Sequence, residues 1–189
     1  AAANGKQVAV LVELKARFDE ARNIEWARRL EKAGGIVIYG IAGLKVHAKA
    51  LLIVRREPDG VRRYLHVGTG NYNERTARLY TDLALLTSRE QLTYEAALFF
   101  NAITGYSSVP VLRRLVMAPH SLKGRVIELI RREAERSSPG APGRIIAKMN
   151  SLCDPEVIGE LYGASRAGVR IDLIVRGICT VVPGVLRSA

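Results

Sequence analysis

Short apolar runs alternate with amphipathic stretches along the first half of the chain. VAVLVEL (8–14) predicts a strand, NIEWARRLEKA (23–33) a helix, and IVIYG (36–40) a second strand. A third strand runs through ALLIV and turns at Asp59-Gly60 into its partner VRRYLHVGT, and a helix is expected over 89–103. Strands joined both by helices and by a hairpin indicate an α/β fold with mixed strand directions.

The second half repeats the same kinds of element. LKGRVIELIRREAERS predicts a helix, SSPGAPG a loop, and RIIAKMN a strand. The next helix begins at Asp154-Pro155, where aspartate caps the helix and proline fits its first turn. IDLIVRG then predicts a further strand.

The two halves share the order strand, helix, Ala-Gly, strand. Ala33-Gly34 falls on Ala167-Gly168 at an offset of 134 residues. Either an internal duplication or convergence on a common αβ turn explains the match. A duplication predicts one nearly complete copy, residues 1–115, followed by the first half of a second copy, residues 116–189.

Composition narrows the class of protein. Hydrophobic residues make up 48% of the chain, which favours a folded globular protein over a disordered one. The apolar runs are too short to span a bilayer, and AAANGKQ lacks the layout of a signal peptide, so a cytoplasmic location is expected. Cys153 and Cys179 lack the spacing of a disulfide framework or zinc site and are predicted to be reduced core residues.

The net charge of +11 indicates what kind of partner the protein binds. With 29 Lys and Arg against 18 Asp and Glu, a polyanionic partner is favoured: nucleic acid, a phosphate chain or a nucleotide. Many of these charges lie on predicted helices, where a solvated face is the simpler explanation.

The candidate chemistry lies in GLKVHAK, an H-x-K motif formed by His47 and Lys49. In an extended segment Lys45, His47 and Lys49 share one face, so the imidazole lies in a positive field that lowers its pKa. A neutral ring with a free lone pair is a nucleophile near pH 7. The alternative is a strand entry whose polar face is merely solvated.

The segment GTGN, Gly68 to Asn71, supplies further polar groups. Thr69 and Asn71 are expected to join Lys49 in stabilising the negative charge of a phosphoryl group during transfer. Gly68-x-Gly70 is too short a signal for a dinucleotide site, and no GKS or GKT is present.

H-x-K followed by GTGN resembles the phospholipase D superfamily, but Val54 stands where that signature has aspartate. This departure argues against ordinary phosphodiesterase activity. A closer resemblance, carried by ELKARFDE, GLKVHAK, GTGNYNE, TARLYTD and LIVRGIC, is to polyphosphate kinase in its long, histidine-phosphorylated form. It implies a phospholipase-D-like mixed β-sheet flanked by helices, with residues 1–115 as most of the first C-terminal domain and 116–189 as the truncated start of the second.

The resemblance also implies roles for individual residues. His47 is the phosphorylated histidine, and Tyr80 and Arg176 contact ATP. Arg17 holds nucleotide phosphates beside Mg²⁺ without being a direct ligand, because a guanidinium cannot coordinate a cation. The family's second essential histidine is expected beyond Ala189.

Simpler roles remain open for the same residues. Arg17 is also placed to pair with Asp19 or Glu20, Tyr80 to be an ordinary aromatic, and Arg176 to be a solvated strand end. The other polar residues of interest have structural interpretations: His66 as structural, His120 as exposed, and Asn71 and Asn73 as turn formers.

The expected function is therefore reversible transfer of the ATP γ-phosphate to inorganic polyphosphate, giving ADP, with Mg²⁺ as cofactor and no nucleic-acid partner. The full-length enzyme is expected to be a homo-oligomer, cytoplasmic or peripheral at the inner membrane. The 189-residue chain is expected to be a fragment of a longer enzyme and to be inactive alone. The alternatives are a phospholipase-D-like nuclease or phosphodiesterase using His47, and a non-catalytic polyanion-binding module.

Overall fold

The computed structural model describes residues 1–14, 20–105, 108 and 110–184. These divide into two compact units, Ala1–Leu115 and Val116–Ala189. Parallel and antiparallel strand pairs are both present, which confirms the predicted α/β fold with mixed directions. No helix in the described ranges is both long and apolar enough to cross a membrane.

The first unit opens with a β-α-β motif after a short 3₁₀ turn at Ala2–Asn4. Strand β1 (Ala9–Val12), helix α1 (Glu20–Lys32) and strand β2 (Ile36–Tyr39) follow the predicted order. β1 and β2 pair in parallel, with Ala9 opposite Ile36 and Val12 opposite Tyr39. A parallel pair needs a crossover, and α1 supplies it.

A three-stranded antiparallel sheet completes the strands of the first unit. β3 (Lys49–Glu57) and β4 (Gly60–Gly68) form the predicted hairpin, and β5 (Ala84–Thr87) pairs with β4. Glu57 lies opposite Gly60, so the two loop residues are Pro58 and Asp59, one position earlier than the sequence suggested. Gly60 has a φ of 131°, a conformation that favours glycine.

Two helices accompany this sheet. α2 (Glu74–Leu79) lies between β4 and β5, and α3 (Glu90–Thr104) closely matches the predicted 89–103. Glu95 of α3 is buried and accepts hydrogen bonds from the backbone N–H groups of 113–115 at 2.8–3.1 Å. This carboxylate fixes the end of the first unit to α3.

The second unit contains α4 (Leu122–Arg136), β6 (Arg144–Met149), α5 (Pro155–Arg166) and β7 (Arg170–Val175). β6 and β7 pair in parallel. The Asp154 side chain accepts from Glu156 N and Val157 N, so the predicted cap is confirmed. The apolar faces of α4, α5 and the strands meet in one core formed by Ile130, Leu152, Ile158, Leu161, Ala164 and Val169.

The predicted repeat is present in the backbone of the two helix ends. Gly34 donates to Glu31 O at 2.8 Å, and Gly168, 134 residues later, donates to Ser165 O at 3.1 Å. The following residues also match: Gly35 N donates to Leu30 O and Val169 N to Ala164 O. Gly34 and Gly168 have φ values of 86° and 84°, the left-handed conformation that ends a helix.

Two further local predictions were wrong. β3 begins at Lys49, so Lys45 and His47 precede the strand rather than lie within it. Cys153 and Cys179 are free, as expected, but both are exposed instead of in the core. Leu152, which bridges to Cys179, takes the buried place and is 5% exposed.

Candidate active site

The segment that carries His47 is held to the end of β1. Glu13 accepts a hydrogen bond from Val46 N through Oε2 at 2.8 Å, and the Glu13 carbonyl accepts one from Asn23 Nδ2 at 3.0 Å. A charged acceptor makes a strong hydrogen bond to a backbone amide. Glu13 therefore connects α1, β1 and the residue next to His47.

Lys49 holds the same segment from the other side. Its side chain is buried, with 9% of the residue exposed, and Nζ donates to the His47 carbonyl oxygen at 2.6 Å. His47 itself is exposed, and its ring nitrogens make no hydrogen bond to the described residues. The backbone of His47 is thus fixed while its imidazole remains open to a ligand.

The electrostatic setting of His47 agrees with the direction predicted from the sequence. Partial loss of water contact is the main cause that lowers its pKa, although the residue as a whole is exposed; the charges of Lys49 and Lys45 lower it further. Burial also lowers the pKa of Lys49, and the Asp82 carboxylate offsets part of that shift. The imidazole is therefore held in its neutral form at pH 7.

The other side of this segment is apolar. Val46 and Ala48 line a cavity of about 540 Å³ together with residues of β1, β3 and α3, among them Val10, Leu52 and Phe99. Val46 and Ala48, which alternate with His47 and Lys49 in the sequence, therefore both border this cavity.

The GTGN loop is built around Asp82, which sequence reasoning did not single out. Thr69 Oγ1 donates to Asp82 Oδ1 at 2.9 Å and accepts from Leu83 N at 3.0 Å. A Cβ atom at Gly70 would lie 2.4 Å from Asp82 Oδ2, so only glycine allows this approach. The signal that points to Asp82 in the sequence is its place at the end of TARLYTD.

The two asparagines of NYNE have different surroundings. Asn73 is the N-cap of α2 and accepts from Arg75 N and Thr76 N, so it does form a turn as expected. The Asn71 carbonyl accepts from Asn73 N at 2.8 Å, while its amide side chain is exposed and makes no hydrogen bond within the described ranges.

His66, interpreted from the sequence as structural, lies in the strand that pairs with β3. Leu51 is opposite His66 and Lys49 opposite Gly68, so Lys49 and His66 share one face of the sheet. His66 Nδ1 lies 2.8 Å from the Tyr72 hydroxyl, which fixes the ring. His120 is exposed, as expected.

The remaining candidates belong to different elements of the chain. Tyr80 is the C-cap that follows α2, is 46% exposed, and donates through its backbone N–H to Thr76 O. Arg176 directly follows β7 in the second unit and is exposed. Arg17 lies outside the described residues. Within the described ranges no group of three or more His, Cys, Asp or Glu side chains forms a metal site.

Comparison with known proteins identifies the family of the chain. The family described as Polyphosphate kinase C-terminal domain 1 matches residues 1–109, and Polyphosphate kinase C-terminal domain 2 matches residues 115–188. The chain belongs to the polyphosphate kinase family.

Individual relatives give the same result. The chain is 57% identical over 185 residues to a polyphosphate kinase of Synechocystis, covering 98% of this chain and 25% of that protein. It is 60% identical to one of Rhodopirellula baltica, covering 98% and 22%. The crystal structure of polyphosphate kinase from Porphyromonas gingivalis has a TM-score of 0.82 and 42% identity, covering 97% of this chain and 31% of that one. The chain thus spans about a quarter of the length of these curated relatives.

Proposed function

We propose that this chain supplies the nucleophile for reversible transfer of the γ-phosphate of ATP to inorganic polyphosphate. The observation that carries the proposal is His47: an exposed imidazole with a lowered pKa, whose backbone is held by Lys49. In the same proposal residues 1–115 are the first phospholipase-D-like C-terminal domain and 116–189 the start of the second.

The transfer takes two balanced steps. A lone pair on one His47 ring nitrogen attacks the γ-phosphorus; the N–P bond forms, and the bond from that phosphorus to the bridging oxygen breaks, with ADP leaving on that electron pair. A terminal oxygen of polyphosphate then attacks the phosphohistidine, and the N–P electrons return to the ring. Both donor and product bonds are phosphoanhydrides, so the reaction runs in either direction.

The protein's main contribution is positioning and charge. Lys45 and Lys49 reduce the repulsion between two polyanions near the imidazole, and Asn71 offers an uncommitted amide. The Thr69 hydroxyl already donates to Asp82, so its proposed contact with phosphate requires the hydroxyl to exchange partners. Arg17, Tyr80 and Arg176 are proposed as ATP-binding residues from the family resemblance.

The proposed Mg²⁺ does not fit a site made by the described side chains alone, because they form no cluster of metal ligands. Mg²⁺ in nucleotide enzymes takes substrate phosphates and water as most of its ligands. We propose that it arrives with the nucleotide beside Arg17, and no step is derived through it. Oligomerisation of the full-length enzyme and peripheral attachment to a membrane belong to the same proposal.

The decisive test uses a full-length polyphosphate kinase that carries this sequence. Incubation with γ-labelled ATP should place an acid-labile label on His47, and His47→Gln should abolish it. His120→Gln is the matched control, because that histidine is exposed and lies in the other unit. A label on any other residue overturns the assignment.

The same preparation tests the competing functions. Cleavage of nucleic acid or lipid without nucleotide would support a phosphodiesterase, and a His47→Gln variant with every activity unchanged would support a non-catalytic binding module. Since the chain covers about a quarter of its relatives, residues 1–189 alone should not synthesise polyphosphate. Robust turnover by this chain would contradict that expectation.

A further inference from the structure

The β3–β4 hairpin ends in a concentration of positive charge. Four arginines, Arg55, Arg56, Arg62 and Arg63, lie within nine residues on either side of the Pro58-Asp59 loop. Arg55 lies directly opposite Arg62. Like charges in directly opposed positions destabilise a sheet, so this arrangement needs compensation or a ligand.

Carboxylates compensate one face of the hairpin. Arg55 pairs with Glu57 at 3.3 Å, and Arg62 pairs with Asp59 at 2.5 Å. The register places Arg56 and Arg63 on the opposite face, because Arg56 is opposite Val61 and Arg63 is opposite Val54. Within the described ranges neither Arg56 nor Arg63 forms an ion pair.

The face that carries Arg56 and Arg63 is also accessible at the tip. Val54 and Val61, the apolar residues between the two arginines, are 57% and 59% exposed. Diagonal neighbours on an antiparallel pair have backbones about 7–8 Å apart, so both guanidinium groups can contact one extended ligand. Two planar guanidinium groups that form no ion pair with any described carboxylate have the geometry to bind an anion with several phosphate groups.

The hairpin has a fixed relation to His47. Lys49, two residues beyond His47, starts β3, and Glu57 ends it. Eight residue steps of an antiparallel strand span about 27 Å. The arginines are therefore too far away to contact a phosphoryl group at His47. The register also places them on the face of the hairpin opposite Lys49, so a polymer that reaches both sites must pass around the edge of β3.

We propose that Arg56 and Arg63 form a distal anchoring site for the polyphosphate chain, which holds the polymer while its end reacts at His47. This inference rests on the proposed function for the identity of the polymer. Its consequence is a dependence on length: only acceptors long enough to reach from His47 to the hairpin tip gain from the site. Short acceptors react without it.

The test compares acceptors in a full-length polyphosphate kinase that carries this sequence. Arg56→Gln/Arg63→Gln should raise KM for long-chain polyphosphate roughly tenfold, the effect of losing about 1.4 kcal/mol of charge-assisted hydrogen bonding. KM for tripolyphosphate and kcat should stay unchanged. The slope of log affinity for the long chain against log salt should fall by about 1.4, as expected for two lost contacts with a single-stranded polyanion.

Two further variants make the result specific. Arg132→Gln/Arg136→Gln removes the same charge from exposed positions of α4 and should leave both KM values unchanged. Arg56→Lys/Arg63→Lys keeps the charge but loses the forks and should give an intermediate KM. If the glutamine variant has a lower melting temperature than the wild type, the KM of the lysine variant is compared with that of the wild type instead.

Direct binding of long-chain polyphosphate, followed by fluorescence anisotropy without nucleotide, separates this inference from the proposed function. Weaker binding by the glutamine variant supports the anchoring site even if the enzyme is inactive. Equal KM changes for long and short acceptors, or unchanged binding, would overturn it. The anchoring site is also ruled out if the glutamine variant binds long-chain polyphosphate as the wild type does but has lost affinity for nucleic acid or for phosphatidylserine vesicles.

Discussion

Lys49 Nζ donates a hydrogen bond to the carbonyl oxygen of His47 at 2.6 Å, so the ammonium group is directed at the backbone of the nucleophile. The side chain is buried, and its charge also lowers the pKa of the imidazole. One residue therefore fixes the position of His47 and favours its neutral form. The H-x-K spacing thus places one lysine where it can both hold the His47 backbone and lower the pKa of the His47 imidazole.

Replacing Lys49 should impair phosphorylation of His47 more than it impairs binding of ATP. Lys49→Met keeps the length of the side chain but removes the donor and the charge, and a loss of about 100-fold in the single-turnover rate is expected from the removal of one buried cationic donor. Quench-flow measurement of acid-labile label gives this rate. Lys45→Met, at an exposed position, is the control and should lose less than tenfold.

The pH dependence of the first step should show the lowered pKa of His47. A neutral imidazole attacks, so the rate should rise with pH through the His47 pKa, with the midpoint of the rise below the usual value of 6.5. Removing the charge in Lys49→Met should move this rising limb to higher pH, because one cause of the lowered pKa is gone. A rising limb above pH 7 in the wild type would contradict the assigned environment.

Glu13 should act as a positioning residue for the His47 segment. Glu13→Ala leaves Val46 N without its acceptor and should cost about 1–3 kcal/mol locally, whereas Glu13→Gln keeps an acceptor oxygen and should recover much of the loss. Hydrogen exchange at the Val46 amide measures this local stability. Equal exchange in the alanine and glutamine variants would show that the hydrogen bond does not hold the segment.

Gly70 should be intolerant of a side chain because of Asp82. In Gly70→Ala the new methyl group would lie 2.4 Å from Asp82 Oδ2, so the carboxylate must move and its bond to Thr69 is lost. A loss of about 1–3 kcal/mol in unfolding free energy is expected from overpacking.

A double-mutant cycle with Asp82→Ala isolates that contact, since the double variant should lose less than the sum of the single changes. Gly124→Ala is the control: a Cβ there meets open space within helix α4, and the change should be neutral or stabilising by up to about 1 kcal/mol. Additive losses at Gly70 and Asp82 would contradict the close approach.

Elements determined by local chemistry were predictable from the sequence. The Asp154 cap, the hairpin and helix α3 depend on neighbouring residues, and their positions agree within a residue or two. The direction of the His47 pKa shift agrees with the prediction, although its main cause is partial burial, which the sequence did not indicate; the charges of Lys49 and Lys45, each two residues away, add to it.

Features determined by tertiary contacts were not predictable. Asp82 accepts a hydrogen bond from Thr69, 13 residues earlier in the chain, and no local sequence pattern predicts that contact. The cysteines were assigned to the core by residue type, but the buried position went to Leu152, which leaves its neighbour Cys153 exposed. Nor does spacing indicate that the Lys49 ammonium bonds to the backbone rather than standing beside the imidazole.

The matching turns at Gly34 and Gly168 suggest that segments are exchangeable within one chain. Each turn is closed by contacts spanning only a few residues, and the two turns have the same hydrogen-bond pattern and nearly the same φ. A transplant of residues 163–169 into 29–35 would therefore meet a backbone of its own shape. The two turns differ in the side chains that they carry, and a chimera of this kind would separate the contribution of the shared backbone from that of those side chains.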